Sequence, residues 1–226
     1  EMRRWFRELE GQDVSLSEAL LDFKFNLFSE ADPAVAANTA FQLYESGILG
    51  DASKMEAAEM LLEYGSPDKA ILMIGSIENI EFRVAASQLV TTAAKAIKNI
   101  ESQADAWRLI ADRFGVQDSD LLIAASRMYS AGRHAEVIDL LAEKDSDEMD
   151  RGLGLLLARS YFTVEEYDSC LNVSRSMLER QPDDQDVLRL IIRSKRRQGD
   201  VGDEEAFQAL SRSLELGTIH PEDAYR

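Results

Sequence analysis

The sequence contains few of the residues that build disulfide-bonded or metal-centred proteins. Cys170 is its only cysteine, and His134 and His220 are its only histidines. A single cysteine cannot form an intramolecular disulfide, which fits a reducing compartment or simply a cysteine-poor protein. We predict a cytoplasmic location. A zinc site needs three or four clustered ligands, and no such spacing occurs here. We therefore predict no metal site.

Residues that interrupt helices are also scarce, with 4 prolines and 12 glycines in 226 residues. No alternating run of apolar and polar residues is long enough to predict a sheet. No run approaches the roughly 18 consecutive apolar residues of a membrane span, so we predict no membrane insertion. Apolar residues make up 45% of the chain. This composition is typical of a folded, soluble, helical protein.

Positively charged residues are also few in this chain. It has 25 lysines and arginines against 42 aspartates and glutamates, which gives a formal net charge of −17 at pH 7. Nucleic-acid binding requires a basic surface, so the composition argues against it. The excess of carboxylates fits a solvated outer surface, and it also fits a protein or peptide partner with a basic segment.

Motifs that carry chemistry are missing or incomplete. There is no glycine-rich phosphate loop and no nucleophile elbow. The run Asp183–Asp186 resembles half of an aspartate-rich magnesium–diphosphate motif, but it follows Pro182 in a turn and is better interpreted as helix capping. The acidic run Asp145–Asp150 lacks the glycine of a calcium loop. We predict no catalytic residue, no cofactor and no enzymatic activity in this chain.

The clearest helical pattern lies between Arg151 and Pro182. Leu153–Phe162 is apolar on several sides, which is typical of a helix that neighbours cover. Glu165–Arg180 is amphipathic, with apolar residues at three- and four-residue steps. Pro182 is expected to end the second helix, and Asp183 or Asp184 to cap the next one. Such a pair cannot bury its apolar surface alone, so it must stack on further pairs.

This stretch resembles the tetratricopeptide repeat family, whose consensus places small and aromatic residues at fixed points of a helical hairpin and a proline at its end. The residues that match are Ala158, Tyr161, Tyr167, Cys170 and Pro182, preceded in the previous hairpin by Ala125, Met128 and Gly132. His134, Val137 and Ile192 depart from the consensus. The resemblance is clearest over residues 118–182, and elsewhere only the hairpin architecture is similar. It implies a helical-repeat protein that binds other proteins.

The predicted fold is all-α, a solenoid of about six stacked antiparallel hairpins. Residues 1–116 form an irregular half and residues 117–226 a tetratricopeptide-like half, together one continuous solenoid. In the second half the predicted helix pairs are 118–131 with 134–144, 150–162 with 165–181, and 185–198 with 203–216. In the first half, helices are predicted to begin at Asp32–Pro33, at the capping box Ser53–Glu56, and over 82–100 and 104–114.

One basic cluster occurs in this acidic chain. Arg189, Arg193 and Arg196 recur at four- and three-residue spacing and therefore share a helix face. They either pair with acidic neighbours such as Glu179 or Glu204, or they bind a partner's carboxylate, as some tetratricopeptide grooves do. These three arginines are the candidate partner-binding residues.

Two functions fit these observations. The first is a non-catalytic scaffold or adaptor that binds a partner segment in a groove lined by the first helices of successive hairpins. The alternative is a regulatory or oligomerising domain of a larger enzyme whose catalytic part is not in this chain. The chain begins with Glu1 instead of methionine, which favours the alternative unless a tag was removed.

Overall fold

The computed structural model describes residues 32–47, 49–64, 66–144, 149–199 and 203–217. These residues form eleven α-helices and one short 3-10 helix, with no β-strand among them. The predicted all-α class is confirmed. Within the same ranges, no helix combines the length and the apolar character needed to cross a membrane. Residues 1–31 of the predicted irregular half, residues 145–148 of the acidic run, and His220 lie outside the described residues.

The chain forms two compact units, Glu1–Gly115 and Val116–Arg226, called here the N-terminal and the C-terminal unit. The continuity of a solenoid through both stays a prediction. The helices of the N-terminal unit are α1 (Pro33–Glu45), α2 (Asp51–Glu63), α3 (Pro67–Gly75), α4 (Arg83–Ala96) and α5 (Ile100–Arg113), with the 3-10 helix Ile80–Phe82 before α4. Consecutive helices pack against each other, and α1 also contacts α3, α2 contacts α4, and α3 contacts α5.

A side-chain cap marks the beginning of α1 but not that of α2. Asp32 caps α1 as predicted, because its carboxylate accepts the amide N–H of Val35 at 3.4 Å. The predicted capping box at Ser53 is wrong, since α2 already begins at Asp51 and Ser53 lies inside its first turn. The Asp51 carboxylate instead accepts the amide N–H of Asn79 at 2.8 Å, and it thereby fixes the loop after α3.

The helix predicted over 82–100 is present as α4, but its predicted end is wrong, because α4 ends at Ala96. Asn99 adopts an extended backbone, and its side chain accepts the amide N–H of Ser102 at 3.0 Å. α4 ends at Ala96, since Ile97 already has an extended backbone, and Asn99 then caps the next helix. The second helix thus begins at Ile100, four residues earlier than the predicted start.

The described residues of the C-terminal unit form three helical hairpins. Its helices are α6 (Asp118–Ser130) with α7 (His134–Leu141), α8 (Arg151–Thr163) with α9 (Tyr167–Arg180), and α10 (Gln185–Gln198) with α11 (Glu204–Glu215). We call α6, α8 and α10 the first helices. Each first helix contacts its hairpin partner, α7 and α9 also contact the first helix that follows them, and the first helices contact one another in the order α6, α8, α10.

Small side chains lie where these hairpins approach most closely. Ala158 and Cys170, both fully buried, share a cluster with apolar residues of α8, α9 and α10. Gly154 of α8 lies against Met177 of α9, so a Cβ at that glycine would stand 2.9 Å from the Met177 sulfur. A large side chain at Ala158 would compete for the same space, because interiors are close-packed.

Candidate binding face of the C-terminal unit

The first helices bring residues from three hairpins onto one face. Leu122 of α6 lies beside Gly152 of α8, where a Cβ would stand 3.1 Å from a Leu122 methyl carbon. Arg159 of α8 donates from Nη2 to the Asp186 carboxylate of α10 at 2.9 Å. These contacts define a first-helix face that runs from Leu122 through Gly152 and Arg159 to Asp186.

An arginine–aspartate cluster holds one end of this face together. Arg151 donates from Nη2 to Asp184 Oδ1 and to Asp186 Oδ2, both at 3.0 Å. Asp184 also caps α10, because it accepts the amide N–H of Val187 at 3.3 Å. The Asp184 side chain is 2% exposed and that of Arg151 is 48% exposed. A cleft of about 540 Å³ opens beside the cluster, lined by Arg151 and residues 181–186.

The cluster sets the ionisation of its members. Burial by itself raises the pKa of Asp184, but the hydrogen bonds from Arg151 and from the Val187 amide outweigh it, and the net pKa lies below the usual value. The hydrogen bonds that Arg151 donates to Asp184 and then to Asp186 raise the pKa of Arg151, which stays charged. Arg151 and Asp184 therefore form an ion pair that remains ionised near neutral pH.

The lowered pKa of Asp184 predicts how the stability of the folded state changes as the pH falls. A carboxylate whose pKa is depressed by folding stabilises the folded state fully above its unfolded pKa of about 3.9, and this stabilisation is lost as pH falls through the folded value. We expect the difference in unfolding free energy between the wild type and Asp184→Asn to be constant from pH 7 to about 5 and to shrink below about pH 4. Urea unfolding at a series of pH values measures it, and a difference that grows with acid would contradict the ion pair.

The three predicted arginines all lie on α10. Arg189 and Arg193 are half-buried, Arg196 is exposed, and none of the three is without a partner. Asp186, which contacts Arg159, precedes them by three, seven and ten residues, so helical periodicity places all four on one side of the helix. Lys195 lies on the other side, where its Nζ contacts Asp203 at 3.0 Å.

Arg151 and Arg159 are the site residues that the sequence pattern missed. They contact carboxylates that follow them by 27 to 35 residues. Helical spacing reveals which residues share one helix face, but it carries no signal for a pairing between two helices. The face therefore holds arginines from both α8 and α10, where sequence reasoning found only those of α10.

The aspartates of the motif at 183–186 are engaged by arginines and by helix capping. Asp183 accepts from Arg212 Nη2 at 2.6 Å, and Asp184 and Asp186 accept from Arg151. The expected capping role is confirmed for Asp184. In the described part of the chain, no three His, Cys, Asp or Glu side chains converge in a way that could hold a metal ion.

Cys170 lies in the interior of the C-terminal unit. It is fully buried, and Ser194 Oγ of α10 donates to its sulfur at 3.4 Å. Burial raises the pKa of the Cys170 thiol, which opposes formation of the nucleophilic thiolate. The residue therefore acts as a small packing side chain between α9 and α10.

No protein-family model matches the chain, and no curated protein sequence is significantly similar to it.

Proposed function

We propose that this chain is a non-catalytic scaffold and that its C-terminal unit, a tetratricopeptide-like stack of hairpins, binds a partner segment along the first-helix face. The observation that carries the proposal is the alignment of arginines from α8 and α10 on one side of the unit. A stack of hairpins presents its first helices as a continuous surface, and such surfaces bind extended or helical segments.

The chemistry of this face fits a carboxylate of the partner. The side chains of Arg151 and Arg159 are 48% and 40% exposed while they contact Asp184 and Asp186. A guanidinium has five N–H donors in a planar fork, so an arginine engaged with one carboxylate retains donors for another. The aspartates also hold the two arginines in place before binding, which reduces the entropy lost on association.

The rest of the chain suits a basic partner. With a formal net charge of −17, the protein attracts a positively charged segment and speeds its arrival. The partner segment proposed here carries basic residues along most of its length and presents a carboxylate, from a side chain or from its C-terminus, to the arginines of α8 and α10 on the first-helix face.

Charge reversal on α10 tests this function. Peptides displayed with free C-termini are selected against the whole chain, and the affinity of the enriched peptides is measured by fluorescence anisotropy. We expect Arg193→Glu with Arg196→Glu to weaken binding by about tenfold or more, since a partly buried charge contact such as that of Arg193 contributes about 1.4 kcal/mol or more. Binding should also weaken as salt rises, because exposed charges are screened beyond about 10 Å at 0.1 M.

A matched control separates this effect from a change in net charge. Lys95 and Lys98 are exposed in the N-terminal unit, and reversing both to glutamate alters the total charge by the same amount. This control should bind as the wild type does, and far-ultraviolet circular dichroism should show unchanged helicity in both variants. Equal binding by the wild type and both variants would show that the arginines of the first-helix face do not contribute to binding.

A further inference from the structure

An apolar stripe lies exposed on α11. Phe207 is 65% exposed and Leu214 is 60% exposed, while Leu210 between them is half-buried. The three residues recur at three- and four-residue steps, so they form one stripe along the helix, called here the outer stripe. α11 packs on α10 through the buried Ala209 and through Leu210, so the exposed part of the stripe consists of Phe207 and Leu214 at its two ends.

The same pattern occurs on α9, where it is covered. Leu171, Ser174 and Leu178 have the same three- and four-residue spacing, and Leu171 is 1% exposed. Leu171 and Leu178 pack against aliphatic residues of α10, the first helix of the next hairpin. On α9, therefore, this stripe is the surface on which the following helix packs.

The residues one position before each stripe show that α9 and α11 are equivalent helices. On α9, the residues one position before the stripe include Cys170 and Met177, which pack in the cluster of Leu155 and Ala158 of α8. On α11, the equivalent residues include Ala209 and Ser213, which are buried on the side that faces α10. α9 thus packs on its own first helix with one stripe and on the following helix with the next, whereas the second stripe of α11 leaves Phe207 and Leu214 exposed.

We propose that the outer stripe of α11 binds an amphipathic helix of a partner protein, one with an aliphatic face and a basic C-terminal turn like those of α10. This surface shares no residue with the first-helix face, and either can bind without the other. Such a helix would lie antiparallel to α11, because Asp168 near the start of α9 contacts Gln198 at the end of α10.

The charges beside the stripe select the partner. Glu204 precedes Phe207 by three residues, as Asp168 precedes Leu171, and both carboxylates are on exposed residues. Asp168 accepts from Gln198 Nε2 at 2.7 Å, and the last turn of α10 also contains Lys195, Arg196 and Arg197. A partner helix with donors in its last turn would meet Glu204 in the same way.

A second copy of this chain fits the stripe less well. Two outer stripes packed antiparallel would bring Glu204 of one copy near Glu215 of the other, and both residues are exposed. Like charges placed opposite each other disfavour association, and both copies carry the same large negative charge.

A peptide with the sequence of α10 is the probe. The segment 184–199, acetylated and amidated at its ends, naturally covers the matching stripe of α9 and is added to the full chain. We expect it to bind with a dissociation constant of about 10–100 µM, and we expect Phe207→Ser with Leu214→Ser to weaken it at least tenfold. Fluorescence anisotropy of the labelled peptide measures the binding.

Two controls define the outcome. Ile80→Ser with Val84→Ser removes two apolar side chains that are 77% and 72% exposed in the N-terminal unit, and this variant should bind as the wild type does. A scrambled peptide of the same composition should bind at least tenfold more weakly than the probe. Equal binding by the scrambled peptide or by the α11 variant, or no binding up to about 1 mM, would overturn the proposal. So would light scattering that shows a dimer of the wild type and a monomer of the α11 variant, because the occupant would then be a second copy.

Discussion

Replacing Asp184 by alanine is expected to lower the free energy of unfolding of the C-terminal unit by about 2–3 kcal/mol. The loss combines two roles of one side chain. Asp184 caps α10, and loss of a cap costs about 1 kcal/mol. It also accepts the hydrogen bonds of Arg151 while only 2% exposed, and a charged hydrogen bond contributes about 1.5–3 kcal/mol, reduced here because Arg151 is half-exposed. Urea unfolding followed by circular dichroism measures the change.

Two further variants separate the two roles. Asp184→Asn keeps a capping oxygen and the shape of the side chain but removes the negative charge, so it should lose only part of this free energy. Asp183→Ala removes the exposed neighbour that contacts Arg212 and should cost less than about 1 kcal/mol. Equal losses for Asp183→Ala and Asp184→Ala would show that the cluster with Arg151 does not stabilise the unit.

Replacing Ala158 by leucine is expected to destabilise the same unit by about 1–3 kcal/mol. Ala158 is fully buried between α8, α9 and α10, with Cys170 and Val187 in its cluster. Three additional carbon atoms at this point must displace a helix or force neighbouring side chains out of their preferred rotamers. Thermal unfolding should show a lower midpoint for the variant.

The matched control for this substitution is Ala135→Leu. Ala135 is exposed on α7, so the same chemical change there adds no atoms to the interior and should alter stability by less than about 0.5 kcal/mol. An unchanged midpoint for Ala158→Leu would mean that α8 and its neighbours do not approach each other at this residue.

The helices of the C-terminal unit could be predicted closely from the sequence. The predicted pair 185–198 with 203–216 corresponds to α10 and α11 at Gln185–Gln198 and Glu204–Glu215. Strong apolar periodicity and clear stop signals define these helices, and both signals act over a few residues. The break before Ile100 was missed because the periodicity continues across it and only Asn99 marks the cap.

The candidate site was predicted only in part. Arg189, Arg193 and Arg196 could be grouped because they lie on one helix, where spacing alone decides which side chains are neighbours. Arg151 and Arg159 could not be added, since their carboxylate partners lie on the next hairpin. A contact between hairpins depends on how the helices stack, and the sequence of one chain contains no local signal for it.

By itself the sequence determined the all-α class, most helix ends of the C-terminal unit and the apolar stripes, because these depend on interactions within about four residues of the chain. Only the tertiary structure decided which stripes are covered. Leu171–Leu178 and Phe207–Leu214 have the same helical spacing, yet α10 covers the first, while Phe207 and Leu214 at the ends of the second are exposed. Whether a stripe is buried depends on the neighbouring helix as well as on the stripe itself, and the stacking of hairpins determines which helix is that neighbour.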